Sequence, residues 1–341
     1  MPARAQTRAA ALERRSAPGG WRLLVVKITI STALLWLILR RFEFQDLKSQ
    51  ILQTDPQALL LPFAIVLASN LLGGLQWSWL VRTAGVLVAL GRLIGLYFTG
   101  LFFNHFGVGN LGGDVYKIYS LGRSEGAFGR VAGATIVDRV VGAAALCSLA
   151  LVAACVALAR GEMPLPLVLV ILVFSGLVTS FAGLVLHGAW GEGIEGWLAG
   201  LRWEAVTSRL SRLVGYLREY RERTAVLNTT FVLSLLIQSA RVLAHYFVAV
   251  AMGWTMHPSD LAKFFLVIPI LGLVIALPIS IGGWGVREWA GVMLFAPLGR
   301  DGEESVTLLA LTASLTFVVS LGGGIFFLVA GWPRRSRPEP T

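Results

Sequence analysis

The stretch "LPISIGGWGVREWAGVM", residues 277–293, decides how this chain is read. It begins apolar, breaks on Pro278 and on Gly282, Gly283 and Gly285, sets Arg287 beside Glu288, and turns apolar again. Lipid satisfies neither a freed backbone group nor an ion, so a helix broken in this way has to be shielded by protein or line a cavity. The stretch therefore predicts a turn between two helical arms. A second stretch has the same make. In "FGVGNLGGDVYK", residues 106–117, a glycine-rich break leads into Gly112–Gly113 and then into Asp114 and Lys117.

Working outward, 56% of the 341 residues are hydrophobic and 14% are charged, and mean hydropathy is +0.73. A soluble domain carries about 25% charged residues, and several apolar runs here approach or exceed the ~20 residues that cross a bilayer as helix. The short alternating segments of an outer-membrane barrel are missing from the sequence. The expected fold is an all-α polytopic integral membrane protein.

Charge sets the expected topology. Arg4, Arg8, Arg14, Arg15 and Arg22 stand against Glu13 at one end, and Arg334, Arg335 and Arg337 at the other. Basic flanks stay cytoplasmic, so both termini are expected inside, with an even number of crossings. Residues 1–20 and 333–341 read as basic cytoplasmic tails around a membrane domain at 21–332. The tails serve as topogenic signals with affinity for anionic lipid, and no nucleic-acid partner is inferred. Full crossings are expected at 23–39, 58–80, 131–159, 164–187, 226–251 and 305–331, with Trp77 and Trp79 as interfacial anchors. Residues 190–224 interleave Trp and Leu with Arg and Glu, as a cytoplasmic surface helix does. Both basic loops stay inside only if 93–122 dips into the membrane and returns, and if the opening stretch does so from the other face. The result is six crossings plus two glycine-rich re-entrant hairpins, nominally about eight helices counted as complete elements. It forms an inverted-topology repeat of half one (58–159) and half two (226–331), a pattern whose interrupted segments point to a transport site.

The intramembrane ions are the candidate site. A charge at bilayer depth costs about 2.5–3.5 kcal/mol, so Asp114, Lys117, Asp138, Arg139, Arg241, Arg287 and Glu288 must pair, line water or meet a polar ligand. Asp114 and Lys117 share a helix face, as do Arg241 and His245. Asp138 and Arg139 are adjacent and point about 100° apart, as do Arg287 and Glu288, so each ion is expected to serve a different neighbour. The expected network joins Asp114 or Glu288 to Arg139 or Arg241 across the halves. Four cations against three acids suit an anionic ligand such as a phosphate. Gly112, Gly113, Gly282, Gly283 and Gly285 are expected to allow turns at positive φ and to offer backbone N–H groups. Asn104, His105 and Asn110 are expected to line the first hairpin, His105 as a hydrogen-bonded spacer. Internal salt bridging of the halves, and simple close packing of the glycines, are the alternatives for the same residues. Cys147 and Cys155 read as small core- or lipid-facing residues. No metal-ligand spacing, P-loop, nucleophile elbow or zincin motif is present in the sequence, so no cofactor and no catalytic residues are assigned.

At these motifs the chain resembles the membrane domain of lysylphosphatidylglycerol synthases, the flippase-like or UPF0104-type family. The segments that carry the resemblance are "NLGGDVYKIYSLGR", "GRVAGATIVDRVVGAAAL" and "LPISIGGWGVREWAGVMLFAPLG", within roughly residues 20–332. By that resemblance Asp114, Asp138, Arg139, Arg287 and Glu288 are the positions carried over. Lys117 stands where the family more often has arginine, which trades a bidentate fork for a point charge. Fuller members continue into a soluble aminoacyl-transferase domain that this sequence is expected to lack. The resemblance implies lipid handling in a bacterial or archaeal plasma membrane: binding, and translocation between leaflets, of an anionic phospholipid or lipid-linked phosphate. The alternative from the same sequence is a non-transporting subunit that docks a separate lipid-modifying enzyme or glycosyltransferase.

Overall fold

The computed structural model describes residues 44–105, 111–161, 222–257, 259–277 and 282–330, with scattered positions between them. The expected crossing at 23–39, most of 164–187 and of the 190–224 helix, and both tails lie outside the described residues. The chain is an all-α polytopic membrane protein.

A short helix α1 (Phe44–Gln53) precedes two groups of four. The first group is α2 (Leu60–Thr83), α3 (Leu90–Asn104), α4 (Gly112–Glu125) and α5 (Phe128–Ala159). The second is α6 (Thr224–Ala251), α7 (Asp260–Ala276), α8 (Val286–Phe295) and α9 (Gly302–Ala330). Each group runs long, short, short, long. The four long helices are long and apolar enough to cross a membrane. The short ones hold 15, 14, 17 and 10 residues, too few to span ~30 Å of hydrocarbon as single helices. Outward-facing Leu61, Leu67, Val152, Val232, Leu236 and Ile325 are exposed, as a lipid-facing surface requires.

Local chemistry sets the breaks. Gly126, at φ +64°, closes α4 by returning its N–H to Gly122, a left-handed C-terminal cap. Leu277 is extended, as the residue before Pro278 must be, and that ends α7. Gly282, Gly283 and Gly285 all hold positive φ, which turns the chain into α8 without the Cβ penalty any other residue would meet.

The packing pattern exchanges the two groups. α2 lies against its counterpart α6, α3 packs on α9, and α7 packs on α5. α2 and α6 run antiparallel: Gln76 bonds Ser234 midway, Arg223 bonds the Thr83 carbonyl at one end, and the Asp55 N–H bonds the Ala251 carbonyl at the other. Counterpart helices therefore point in opposite directions. The α3–α4 hairpin opens at the C-terminal end of α2 and the α7–α8 hairpin at the C-terminal end of α6, so their open ends lie on opposite sides. Their tips meet between them, where a Cβ on Gly282 would come within 2.7 Å of the His105 carbonyl oxygen.

One expectation about the core fails. Trp77 is not an interfacial anchor. It is fully buried, its indole N–H donates to Thr135 Oγ1 at 3.0 Å, and it joins the cluster of Leu80, Leu93 and Val137. The "QWSWL" segment also continues for another turn of helix, which places Trp77 inside the bundle. At the described end of the 190–224 segment Glu219, Glu222 and Arg223 are exposed while one residue turns inward, as the two faces of an amphipathic helix do. Tyr220 is buried, with its hydroxyl donating to the Leu80 carbonyl at 2.7 Å.

Candidate functional site

Between the groups lies a cavity of about 610 Å³, lined by residues of all eight of their helices and by both hairpin tips. Of the expected site residues, Lys117, Asp138, Arg139, Arg241, His245, Gly282 and Arg287 line it. Asp114 and Glu288 stand directly behind, bonded to lining cations. Gly112, Gly113, Gly283 and Gly285 shape its hairpins without lining it.

On the first hairpin, Asp114 is buried near the start of α4 and is shared by two cations. Lys117 Nζ lies 2.9 Å from Oδ1 and Arg139 Nε 2.6 Å from Oδ2. Lys117 is 4% exposed, and its ammonium sits 4.9 Å from the Trp77 ring centre and 5.1 Å from that of Tyr97. A cation so enclosed gains from the ring quadrupoles as well as from the carboxylate. Asp138 points elsewhere, as adjacency to Arg139 predicts. Its Oδ1 accepts from Gln76 Nε2 at 2.8 Å, and the same amide nitrogen donates to Ser234 Oγ at 3.1 Å. That neutral bridge joins the two groups.

The second hairpin is built differently from the expectation. Glu288 is the third residue of α8. One of its oxygens accepts from the Gly285 N–H at 2.8 Å, the carboxylate half of a capping box. The other oxygen accepts from Arg287 Nε at 2.8 Å. The adjacent pair satisfies itself because the carboxylate folds back over the helix start, where the long Arg287 side chain also reaches. Arg287 further stacks over Trp284, 4.8 Å from the ring centre. Of the expected pairs Asp114–Arg139 forms, but within the first group; among the described residues no ion pair crosses between the groups, and the Gln76 bridge takes that place.

Arg241 Nη1 donates to Gln238 Oε1 at 3.2 Å, and its carbonyl meets His245 Nδ1 at 2.8 Å. Among the described residues no carboxylate lies within ion-pairing distance of it. His105 is not the hydrogen-bonded spacer expected of it. Its Nε2 is buried with no hydrogen-bond partner among the described residues, and its ring meets Phe317 edge-on at 5.2 Å.

The glycines divide by role. Gly112 and Gly113 are helical and not left-handed. Gly113 permits close approach: a Cβ there would lie 1.9 Å from the Gly100 carbonyl oxygen, and its N–H bonds Asn104 Oδ1 at 2.7 Å. Only the second hairpin's glycines supply the turn.

The amides and hydroxyls of the cavity wall were not singled out from the sequence. Ser69 and Gln76 on α2 line it together with Gly73, and Ser234 and Gln238 on α6 line it beside the expected Arg241 and His245. Their three- and four-residue spacing places each set on one helix face, a polar stripe in otherwise apolar helices that could have revealed them. No group of His, Cys, Asp or Glu among the described residues could hold a metal ion.

A UPF0104 membrane protein of Pyrococcus horikoshii is 23% identical over 329 residues, covering 90% of this chain and 96% of that protein. A UPF0104 membrane protein of Methanothermobacter thermautotrophicus is 33% identical over 122 residues, 35% of each chain. Residues 24–324 match the family described as "Lysylphosphatidylglycerol synthase TM region", and with most of its length inside that match the chain belongs to this family.

Proposed function

We propose that the cavity between the two groups receives the headgroup of an anionic phospholipid or lipid-linked phosphate, and that the protein passes it between leaflets. The observation that carries this reading is the cavity itself: about 610 Å³ at the meeting of two hairpin tips, walled by Lys117, Arg139, Arg241 and Arg287. Charges within a membrane bundle are retained at a cost, and lining a cavity with four cations suits an anion. Membership of a family described as a lipid-synthase membrane region supports the choice of lipid. The antiparallel counterparts α2 and α6 support alternating access, in which one group rocks against the other around a fixed central site. In this reading the protein resides in the plasma membrane of a bacterium or archaeon with both termini cytoplasmic, and it acts as a carrier without catalytic residues or a cofactor.

The test is a lipid-scrambling assay in reconstituted liposomes with a fluorescent phosphatidylglycerol. Wild type should equilibrate the probe between leaflets faster than empty vesicles, and Arg287→Ala should slow it. Equal rates for wild type and Arg287→Ala would refute the reading.

A further inference from the structure

The four cavity cations are not equivalent. Lys117 and Arg139 converge on Asp114 at 2.9 and 2.6 Å, and Lys117 is closed in by Trp77 and Tyr97. This first pole is an internally bonded strut. At the other pole Glu288 spends one oxygen on the Gly285 N–H and the other on Arg287. Arg241 meets only the neutral Gln238 amide and no carboxylate among the described residues. His105, at the tip of the opposite hairpin, brings to the same cavity a buried Nε2 that has no hydrogen-bond partner among the described residues. The wall therefore presents an arginine in want of an acid and a ring nitrogen in want of an acceptor.

Resting on the lipid-binding reading, we propose that the anion is held at this second pole, by Arg241 and Arg287 from one group and by His105 from the other, and that it is a monoanionic phosphodiester. The charge balance sets the class. Counted formally, with every carboxylate ionised and the histidines neutral, Lys117, Arg139, Arg241 and Arg287 stand against Asp114, Asp138 and Glu288, which leaves one positive charge in excess. One phosphodiester cancels it. A phosphomonoester or a pyrophosphate would leave buried negative charge in excess, which low-dielectric surroundings disfavour. Arg241 supplies a charge-assisted fork to the phosphate oxygens. His105, in the tautomer with its proton on Nε2, donates to the same group. Because His105 belongs to one hairpin and Arg287 to the other, a bound phosphate ties the two tips together. His105 is a binding residue outside the set the sequence motifs mark.

The experiment uses the purified full chain in detergent and measures binding of dihexanoyl phosphatidylglycerol, dihexanoyl phosphatidic acid and a short-chain polyprenyl pyrophosphate by thermal shift and by native mass spectrometry. Soluble glycerophosphoglycerol serves as competitor. Wild type should bind the phosphatidylglycerol more tightly than the other two lipids. Arg241→Gln should weaken it by about tenfold, the worth of one charge-assisted contact. His105→Ala should weaken it severalfold, with partial rescue by His105→Gln, which keeps a donor. Displacement by glycerophosphoglycerol is expected, because the headgroup carries the recognition. Monodisperse elution of each variant establishes that it is folded, and Arg241→Lys, which keeps the charge, serves as a second variant if Arg241→Gln does not fold. If phosphatidylglycerol binds wild type, Arg241→Gln and His105→Ala alike, the assignment of the pole is overturned while the lipid-binding reading stands. Tighter binding of the pyrophosphate overturns the charge argument. No binding of any lipid to wild type overturns both.

Discussion

Two neighbouring glycines on α9 test the packing that builds the cavity. Gly323 lies against α3, where an added Cβ would sit 2.0 Å from the Phe98 carbonyl oxygen, 2.1 Å from its carbon and 2.4 Å from Thr99 N. The Gly323 carbonyl also accepts from Thr99 Oγ1 at 3.0 Å. Ordinary contact begins near 3.4 Å, so Gly323→Ala must push α3 and α9 apart by roughly 1.4 Å, and the obstacle is backbone that cannot swing away. Overpacking of this kind costs about 1–3 kcal/mol, and losing the Thr99 bond adds about 1 kcal/mol. Out of a total stability of about 5–15 kcal/mol, that is a large share. Gly322, one residue earlier, faces open space with nothing within 4 Å, so Gly322→Ala should stabilise α9 by about 0.5–1 kcal/mol through helix propensity. Thermal unfolding of the detergent-purified proteins, followed by size exclusion, should place the melting temperatures in the order Gly322→Ala, wild type, Gly323→Ala. Equal melting of the two variants, or a Gly323→Ala protein as stable as wild type, would show that α3 and α9 do not pack as described.

Three further substitutions bear on the cavity wall. Asp114→Asn should destabilise by about 3–5 kcal/mol by leaving Lys117 and Arg139 without their shared carboxylate. Adding Lys117→Met should recover part of that loss in a double-mutant thermal-unfolding cycle, and strictly additive losses would contradict the strut. Gln76→Leu keeps volume but strips Asp138 and Ser234 of their bridge, a loss of about 1–3 kcal/mol in the same unfolding assay; a neutral result would remove the bridge from the account. Trp77→Phe gives up the bond to Thr135 and weakens the ring contact with Lys117, for about 1–2 kcal/mol, whereas a surface anchor would be indifferent to the change.

What the sequence made legible were features fixed by solvent and helix geometry. A bilayer forbids an unpaired ion and a broken helix, so the Gly/Pro interruptions with their charges announced two hairpins, and the short helices α3, α4, α7 and α8 stand at those places. The i,i+3 spacing announced the pairing of Asp114 with Lys117, and adjacency announced that Asp138 and Arg139 part company. The same adjacency rule misled at Arg287 and Glu288. It assumes both side chains project from a continuing helix, whereas these occupy the first turn, where a carboxylate folds back to cap the free Gly285 N–H and carries its oxygens into the arginine's reach. Glycine was ambiguous for a related reason. Gly113 and Gly283 look alike in sequence, yet one is helical because Gly100 presses on it and the other turns the chain at φ +79°. A glycine records that a side chain is excluded, by a neighbour or by a dihedral, and only the partner helix says which. Tertiary neighbours likewise decide the fate of each charge. Arg241 and Arg139 are equivalent entries in a net charge, but Asp114 comes within reach of one and no carboxylate among the described residues within reach of the other. The difference between a strut and a cation with no carboxylate in reach therefore lies in the pairing of helices, which counting charges along the sequence does not reveal.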